Sequence, residues 1–280
     1  MNRDYFIFDG VNSLSFNAYL YDEGTSDSPT ADYTDVSIPA RHGGLLINNY
    51  RMNNVTHRYY LVITEDFEQN YSALRAFLLS RDGYCRLEDT FHPNEYYYAA
   101  FLNALEPVKA PHGDMGKVRV EFTRKPQRYL KSGEDEIVIQ NNLTPGSSDF
   151  GKNVTNPTQF GCYPLFILKG GITSHGFTIK FGADRDTTSI LSAEENTETD
   201  WIYLDTNALY IDTETMLAWV DNTSDGKRYY YGHWMRYTTH IENRSRLMLQ
   251  PDVNFVRFSV PDTGHSGSIT LTMKPRWYTV

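Results

Sequence analysis

Hydrophobic and polar residues alternate along much of this chain. In Val118-Arg119-Val120-Glu121-Phe122 and Val256-Arg257-Phe258-Ser259-Val260 every second side chain falls on one face, the period of a half-buried strand. Clusters of Gly, Pro, Asn and Asp separate such runs, so the pattern predicts a fold dominated by β-structure. One segment departs from it. Phe67, Tyr71, Leu74 and Leu78 recur at intervals of four, three and four, which sets them on one stripe of a single helix near 67–80. Asp66 stands where a carboxylate accepts from the first-turn N–H groups, Gln69 completes a capping-box pattern, and Gly83 offers a left-handed stop.

Two stretches lack any apolar period. Asp22 to Asp35, rich in Ser, Thr, Asp and Pro, reads as a long solvated loop. The polar passage from Arg124 to Glu136 reads as a linker, dividing the chain into 1–133 and 134–280. Beyond it strands alternate with turns such as Pro261-Asp262-Thr263-Gly264 and no helix pattern appears, the spacing of a β-sandwich.

Composition narrows the function classes. An apolar fraction of 40% supports a packed core and excludes a disordered chain. No run approaches the ~20 apolar residues of a membrane span, and the start lacks a secretion-signal pattern, so synthesis in a cytoplasm without membrane insertion is expected. The net charge is −9, with 14 basic and 17 acidic residues up to position 133 and 12 and 18 after it. Such even scatter argues against direct nucleic-acid binding. Cys85 and Cys162 lack metal or redox spacing and read as separate thiols.

The eight histidines show no zinc spacing. Glu65-Asp66, Glu88-Asp89, Asp184-x-Asp186, Glu194-Glu195 and Asp212-x-Glu214 are acidic pairs, but Asp184-Arg185-Asp186 lacks the remaining ligands of an EF-hand, and a glycosidase needs carboxylates from separate places. Nucleophile-elbow and phosphate-loop motifs are absent. The chain therefore reads as a non-enzyme that requires no cofactor and no metal. Its runs Tyr96-Tyr97-Tyr98 and Tyr229-Tyr230-Tyr231 suit strands and contact surfaces.

Whole segments carry more than single residues. Asp9-Gly10-Val11-Asn12-Ser13-Leu14-Ser15-Phe16, Ile38-Pro39-Ala40-Arg41-His42-Gly43-Gly44-Leu45-Leu46, Asp82-Gly83-Tyr84, Tyr96-Tyr97-Tyr98-Ala99 and Phe122-Thr123-Arg124-Lys125-Pro126 follow one another in an order that resembles the amino-terminal module of siphophage distal tail proteins. Asn156-Pro157, Pro164-Leu165-Phe166-Ile167-Leu168-Lys169-Gly170, Leu209-Tyr210-Ile211-Asp212 and the ending Lys274-Pro275-Arg276-Trp277-Tyr278 are similar to the galectin-like sandwich of the same family. Ala40 departs from it, standing where the family often has glycine.

The resemblance implies a virion structural protein at the distal end of the tail. Residues 1–133 would form a homohexameric ring joining the tail tube protein to a tail-associated, spike-like or lysin protein, with receptor-binding or baseplate proteins on the outward sandwich. A head-to-tail ring uses two different patches per subunit and leaves an open hub. Ring contacts are expected around Arg41, His42, Gly43 and Gly44, where a glycine turn allows close approach and an arginine offers a planar donor fork. The alternative is a carbohydrate-binding adhesion module contacting sugar through Trp201, Trp219 or Trp234; His240-Ile241-Glu242-Asn243-Arg244 only partly echoes the galectin sugar motif.

Overall fold

A computed structural model of the chain describes residues 3–110, 114–143, 150–170, 172–173, 177–183, 189–193, 202–203, 208–221, 225–230, 235–238, 247–260, 265–266 and 268–280. Two units emerge, one of residues 1–129 with Val280 and one of residues 130–279. The passage read as a linker is ordered: Arg128–Leu130 is a short strand and Lys131–Gly133 a 3-10 turn.

The first unit holds β1 (Phe6–Phe8), β2 (Val11–Asn12), β3 (Ala18–Ser26), β4 (Ala31–Val36), β5 (Leu45–Met52), β6 (Val55–Ile63), α1 (Phe67–Leu79), β7 (Cys85–Asp89), β8 (Glu95–Ala100), β9 (Glu106–Lys109) and β10 (Gly116–Arg124), and β11 (Arg128–Leu130) ends one residue past its boundary. Antiparallel pairing gives the strand path β2-β1-β7-β8-β10-β6-β3, with β9 added along the start of β10. Alternation dictates this sheet. Val55, His57, Tyr59, Leu61 and Ile63 of β6 face inward, as do Val118, Val120, Phe122 and Arg124 of β10, with Val118 opposite Leu61 and Phe122 opposite His57. Phe122 centres the core, its ring within 5.0–6.1 Å of Phe6, Phe8, Tyr59 and Phe101.

The helix lies where its spacing puts it, burying Phe67, Leu74 and Leu78 against that core with Tyr71 beside them. Its ends are built differently from the expectation. Asp66 sits at φ 43°, a left-handed conformation in which its side chain caps nothing; the Phe67 N–H donates instead to the Asp114 carbonyl at 3.1 Å. At the other end Ser80, not Gly83, is the cap, its hydroxyl donating to the Phe77 carbonyl at 2.7 Å.

The second unit continues with β12 (Ile137–Leu143), β13 (Phe150–Asn156), β14 (Leu165–Lys169), β15 (Ile172–Thr173), β16 (Phe177–Gly182), β17 (Ser189–Ala193), β18 (Ile202–Tyr203), β19 (Ala208–Asp212), β20 (Leu217–Asp221), β21 (Arg228–Tyr230), β22 (Met235–Thr238), β23 (Asp252–Ser259), β24 (His265–Ser266), β25 (Ile269–Lys274) and β26 (Tyr278–Thr279). A six-stranded sheet, β12-β25-β14-β19-β20-β21, and a five-stranded one, β13-β23-β16-β17-β22, share one core. Phe166, Leu209, Ile211 and Met273 enter it from the first sheet, and Val154, Ile179, Val256 and Phe258 from the second. This is the sandwich its turn spacing predicts. Cys85 and Cys162 are both free thiols.

Candidate assembly site

The stretch read as a solvated loop is mostly strand. β3 extends to Ser26 and β4 begins at Ala31, leaving 27–30 as the only connection. β4 pairs with β5 alone, forming a two-stranded sheet separate from the main one. Its register sets Val36 opposite Leu45 and Thr34 opposite Ile47 on one face, with Asp35 opposite Leu46 and Tyr33 opposite Asn48 on the other. Both faces are open to solvent, so neither hydrophobic alternation nor burial marks these strands in the sequence.

The apolar content of this arm is high for an exposed ribbon. Leu46 is 62% and Tyr50 64% exposed, and Tyr33, Val36, Leu45, Ile47 and Met52 are exposed as well. An isolated two-stranded hairpin is at best marginal in water, and a contiguous apolar patch signals an interaction surface. Cross-strand polar contacts hold the ribbon meanwhile: Asn49 Nδ2 donates to Thr34 Oγ1 at 3.0 Å, and Arg51 pairs with Asp32. The Arg51 hydrogen bond, then that of Asn49, holds the Asp32 carboxyl below its ordinary range.

Residues 37–44 form the tip of the arm, and the four positions singled out from the sequence, Arg41, His42, Gly43 and Gly44, lie together there, all exposed. The Arg41 N–H closes a turn on the Ile38 carbonyl at 3.2 Å, with Pro39 second and Ala40 third at φ 62°. That is the pattern of a type II turn, whose third position favours glycine. Ala40 therefore holds a conformation that costs an L-residue about 1–2 kcal/mol. At Gly44 a Cβ would lie 1.8 Å from Oδ1 of the exposed Asp35 side chain, which would have to swing aside.

The root of the arm is tied to the main sheet. Asp27 N–H donates to the Thr56 carbonyl at 3.0 Å and Asn53 N–H to the Thr30 carbonyl at 2.9 Å. Arg58 on the outer face bridges Asp27 and Glu121 at 3.3 and 2.9 Å. Two register shifts, between Leu20 and Thr25, kink β3 against β6 before the pairing resumes through Ser26.

The other sequence candidates are dispersed. Trp201, Trp234 and His240–Arg244 lie outside the described residues, as do Asp184, Asp186 and Glu194-Glu195. Trp219 on β20 stacks on Tyr210 of β19 at 5.6 Å, and from β21 the Arg228 guanidinium lies 4.8 Å from its ring centre. Asp221 holds that guanidinium at 2.6 and 2.9 Å. Its neighbours on both flanking strands thus engage the Trp219 ring. Asp212 takes both Arg276 nitrogens, at 3.0 and 3.2 Å, and Asp89 accepts from Tyr59 and His92; both are structural carboxylates. Among the described residues no three His, Cys, Asp or Glu side chains gather in a metal-binding cluster, and no helix is long and apolar enough to cross a membrane.

No family-level sequence profile and no curated protein matches the chain by sequence. Solved structures do match by fold. A chain of the phage P2 baseplate in its activated, Ca-containing conformation aligns over 98% of both chains with a TM-score of 0.50 at 11% identity. The Dit protein (gp 19.1) of phage SPP1, described as a paradigm of the hub adsorption apparatus in phages infecting Gram-positive bacteria, aligns over 100% of both chains with a TM-score of 0.62 at 12% identity. From end to end, then, this chain has the β-rich fold of a phage distal tail hub protein.

Proposed function

We propose that the chain is a structural hub subunit of a tailed phage, closing a homohexameric ring at the distal end of the tail by laying the β4–β5 arm on the neighbouring subunit. The observation that carries this reading is the arm itself, an apolar two-stranded sheet that stays exposed among the described residues. In a ring every subunit supplies one arm and receives one, the head-to-tail use of two different patches that rotational closure demands. The full-length likeness in fold to a phage hub protein supports the same assignment.

In this role the ring receives the tail tube protein on one face and the tail-associated, spike-like or lysin protein on the other. The second unit serves as the outward, galectin-like sandwich to which receptor-binding or baseplate proteins attach. Catalysis and cofactors have no part in it. The net charge of −9 suits a channel that lets DNA pass without gripping it. Sugar stacking on Trp219 would require displacing Arg228 and Tyr210, so the adhesion alternative gains nothing from this geometry.

Arg41→Glu tests the reading. It reverses a charge at the arm tip, where no side chain among the described residues pairs with it, and is expected to leave the fold intact while preventing hexamer formation. Size-exclusion chromatography with light scattering reads the outcome; an unchanged hexamer removes the tip from the interface.

A further inference from the structure

The inward face of β6 and β10 is apolar until its last register positions, where it turns cationic. His57 and Arg124 are diagonal neighbours there, since Phe122 is opposite His57 and Val55 opposite Arg124. Both are buried, at 4% and 5% exposure. Tyr97 packs against both: its ring stacks on the imidazole at 6.1 Å, and the Arg124 guanidinium carbon lies 4.7 Å from its centre. Tyr59 meets the imidazole edge-on at 4.3 Å.

Arg124 uses one of its nitrogens, Nη2, which donates to Ser26 Oγ at 2.6 Å. Arg124 Nε and Nη1 and both ring nitrogens of His57 are buried without a hydrogen-bond partner among the described residues. The carboxylates nearby are committed elsewhere. Asp89 accepts from the Tyr59 hydroxyl at 2.6 Å, the His92 backbone N–H at 2.7 Å and the His92 ring at 3.0 Å. Glu95 accepts from Tyr97 at 3.4 Å and pairs with Arg128 at 3.5 Å.

A guanidinium stays ionised in proteins, and a buried charge without a counter-charge is strongly disfavoured. Every idle group on Arg124 is a donor, and a neutral imidazole adds one more. Three idle donors against a single imidazole acceptor, with no carboxylate paired to the guanidinium among the described residues, call for an anion. We propose that Arg124 Nε and Nη1, together with His57, bind a small monovalent inorganic anion of chloride size. The small number of donors suits a single-atom anion better than a tetrahedral oxyanion, whose four oxygens would go unmet. Burial, then the Arg124 charge, pushes the His57 pKa down to about 4, so the ring enters the site neutral. Because Arg124 also holds Ser26, the last residue of β3 before the arm, the anion stiffens the arm root. The site rests on side chains within one subunit and stands whether or not the ring does.

The test uses the full chain. Crystals grown in sodium bromide are expected to show an anomalous peak in contact with Arg124 Nε or Nη1; ordered waters alone at that position overturn the proposal. In solution, replacing sodium gluconate with sodium chloride at equal ionic strength is expected to raise the melting midpoint saturably by about 2 °C or more. Equal midpoints in the two salts overturn it. The chloride shift is expected to vanish in Arg124→Met and shrink in His57→Phe; a shift that persists in Arg124→Met places the anion elsewhere. Should Arg124→Met fail to fold, the bromide peak in the unaltered protein decides.

Discussion

Replacing Val36, Leu45 and Ile47 together by threonine strips one face of the arm of its apolar surface without touching its strands. The three share that face and are 39%, 44% and 45% exposed. Their open surface amounts to that of a little over one fully exposed side chain. Full burial of a Val, Leu or Ile is worth roughly 1.5–3 kcal/mol, so covering this face contributes about 2–4 kcal/mol to each subunit contact. Threonine keeps the β-branched shape and strand preference, so the cost to the folded subunit should stay within about 0.5 kcal/mol per site. At 1.4 kcal/mol per factor of ten, each contact weakens roughly 30- to 1000-fold. Sedimentation velocity over a concentration series measures the assembly and a thermal melt measures the fold. The expected pair of results is a melting midpoint that, compared at concentrations below assembly, moves by no more than a few degrees, with a hexamer that forms only at far higher concentration. Assembly at the unaltered concentration, with the fold intact, refutes the assignment of this face.

Three further outcomes follow from single sites. Ala40→Gly relieves the left-handed strain at the arm tip and is expected to be neutral to slightly stabilising, by up to about 1 kcal/mol in chemical denaturation. Tyr59→Phe removes a buried donor to the Asp89 carboxylate and is expected to cost about 1.5–3 kcal/mol by denaturant titration, while a loss under 0.5 kcal/mol would mean the bond is not formed. His57 titrates near 6.5 in the unfolded chain and about 4 in the folded one. As pH falls below 6.5 the unfolded state gains a proton that the folded state refuses, so stability declines by about 3 kcal/mol in all down to pH 4 and is unaffected by this group above 6.5. His57→Phe is expected to flatten that slope in a low-salt buffer with a bulky organic anion.

What the sequence reveals here tracks how one-sided each element is. The 4-3-4 spacing of Phe67, Tyr71, Leu74 and Leu78 survives into α1 because one stripe of the helix meets the core. The alternation from Val118 to Phe122 survives into β10 for the same reason. The arm strands leave no such trace. With both faces in solvent, Asp32, Thr34 and Asp35 have no inside to avoid, and a Ser-, Asp- and Pro-rich strand is indistinguishable from a loop. The tip residues Arg41 to Gly44 read as a turn from the sequence, because turn chemistry is local even where strand pairing is not.

Capping proved less legible than helix position. A carboxylate at Asp66 satisfies the residue preference, but capping needs an extended backbone, and Asp66 is held left-handed. The buried polar cluster leaves a signal in the alternation: His57 occupies an inward register of Val55-x-His57-x-Tyr59-x-Leu61-x-Ile63, and Arg124 extends the series Val118, Val120, Phe122. A charged residue in phase with a core face is either paired across the sheet or waiting for a ligand, and only the register between β6 and β10 distinguishes the two.

Electron microscopy of the purified protein tests the central claim most directly. The account predicts six-fold annular particles in which each β4–β5 arm lies against the next subunit, with residues 41–44 inside the contact. Particles that remain single subunits at high concentration, or a ring whose arms project freely into solvent, would contradict it.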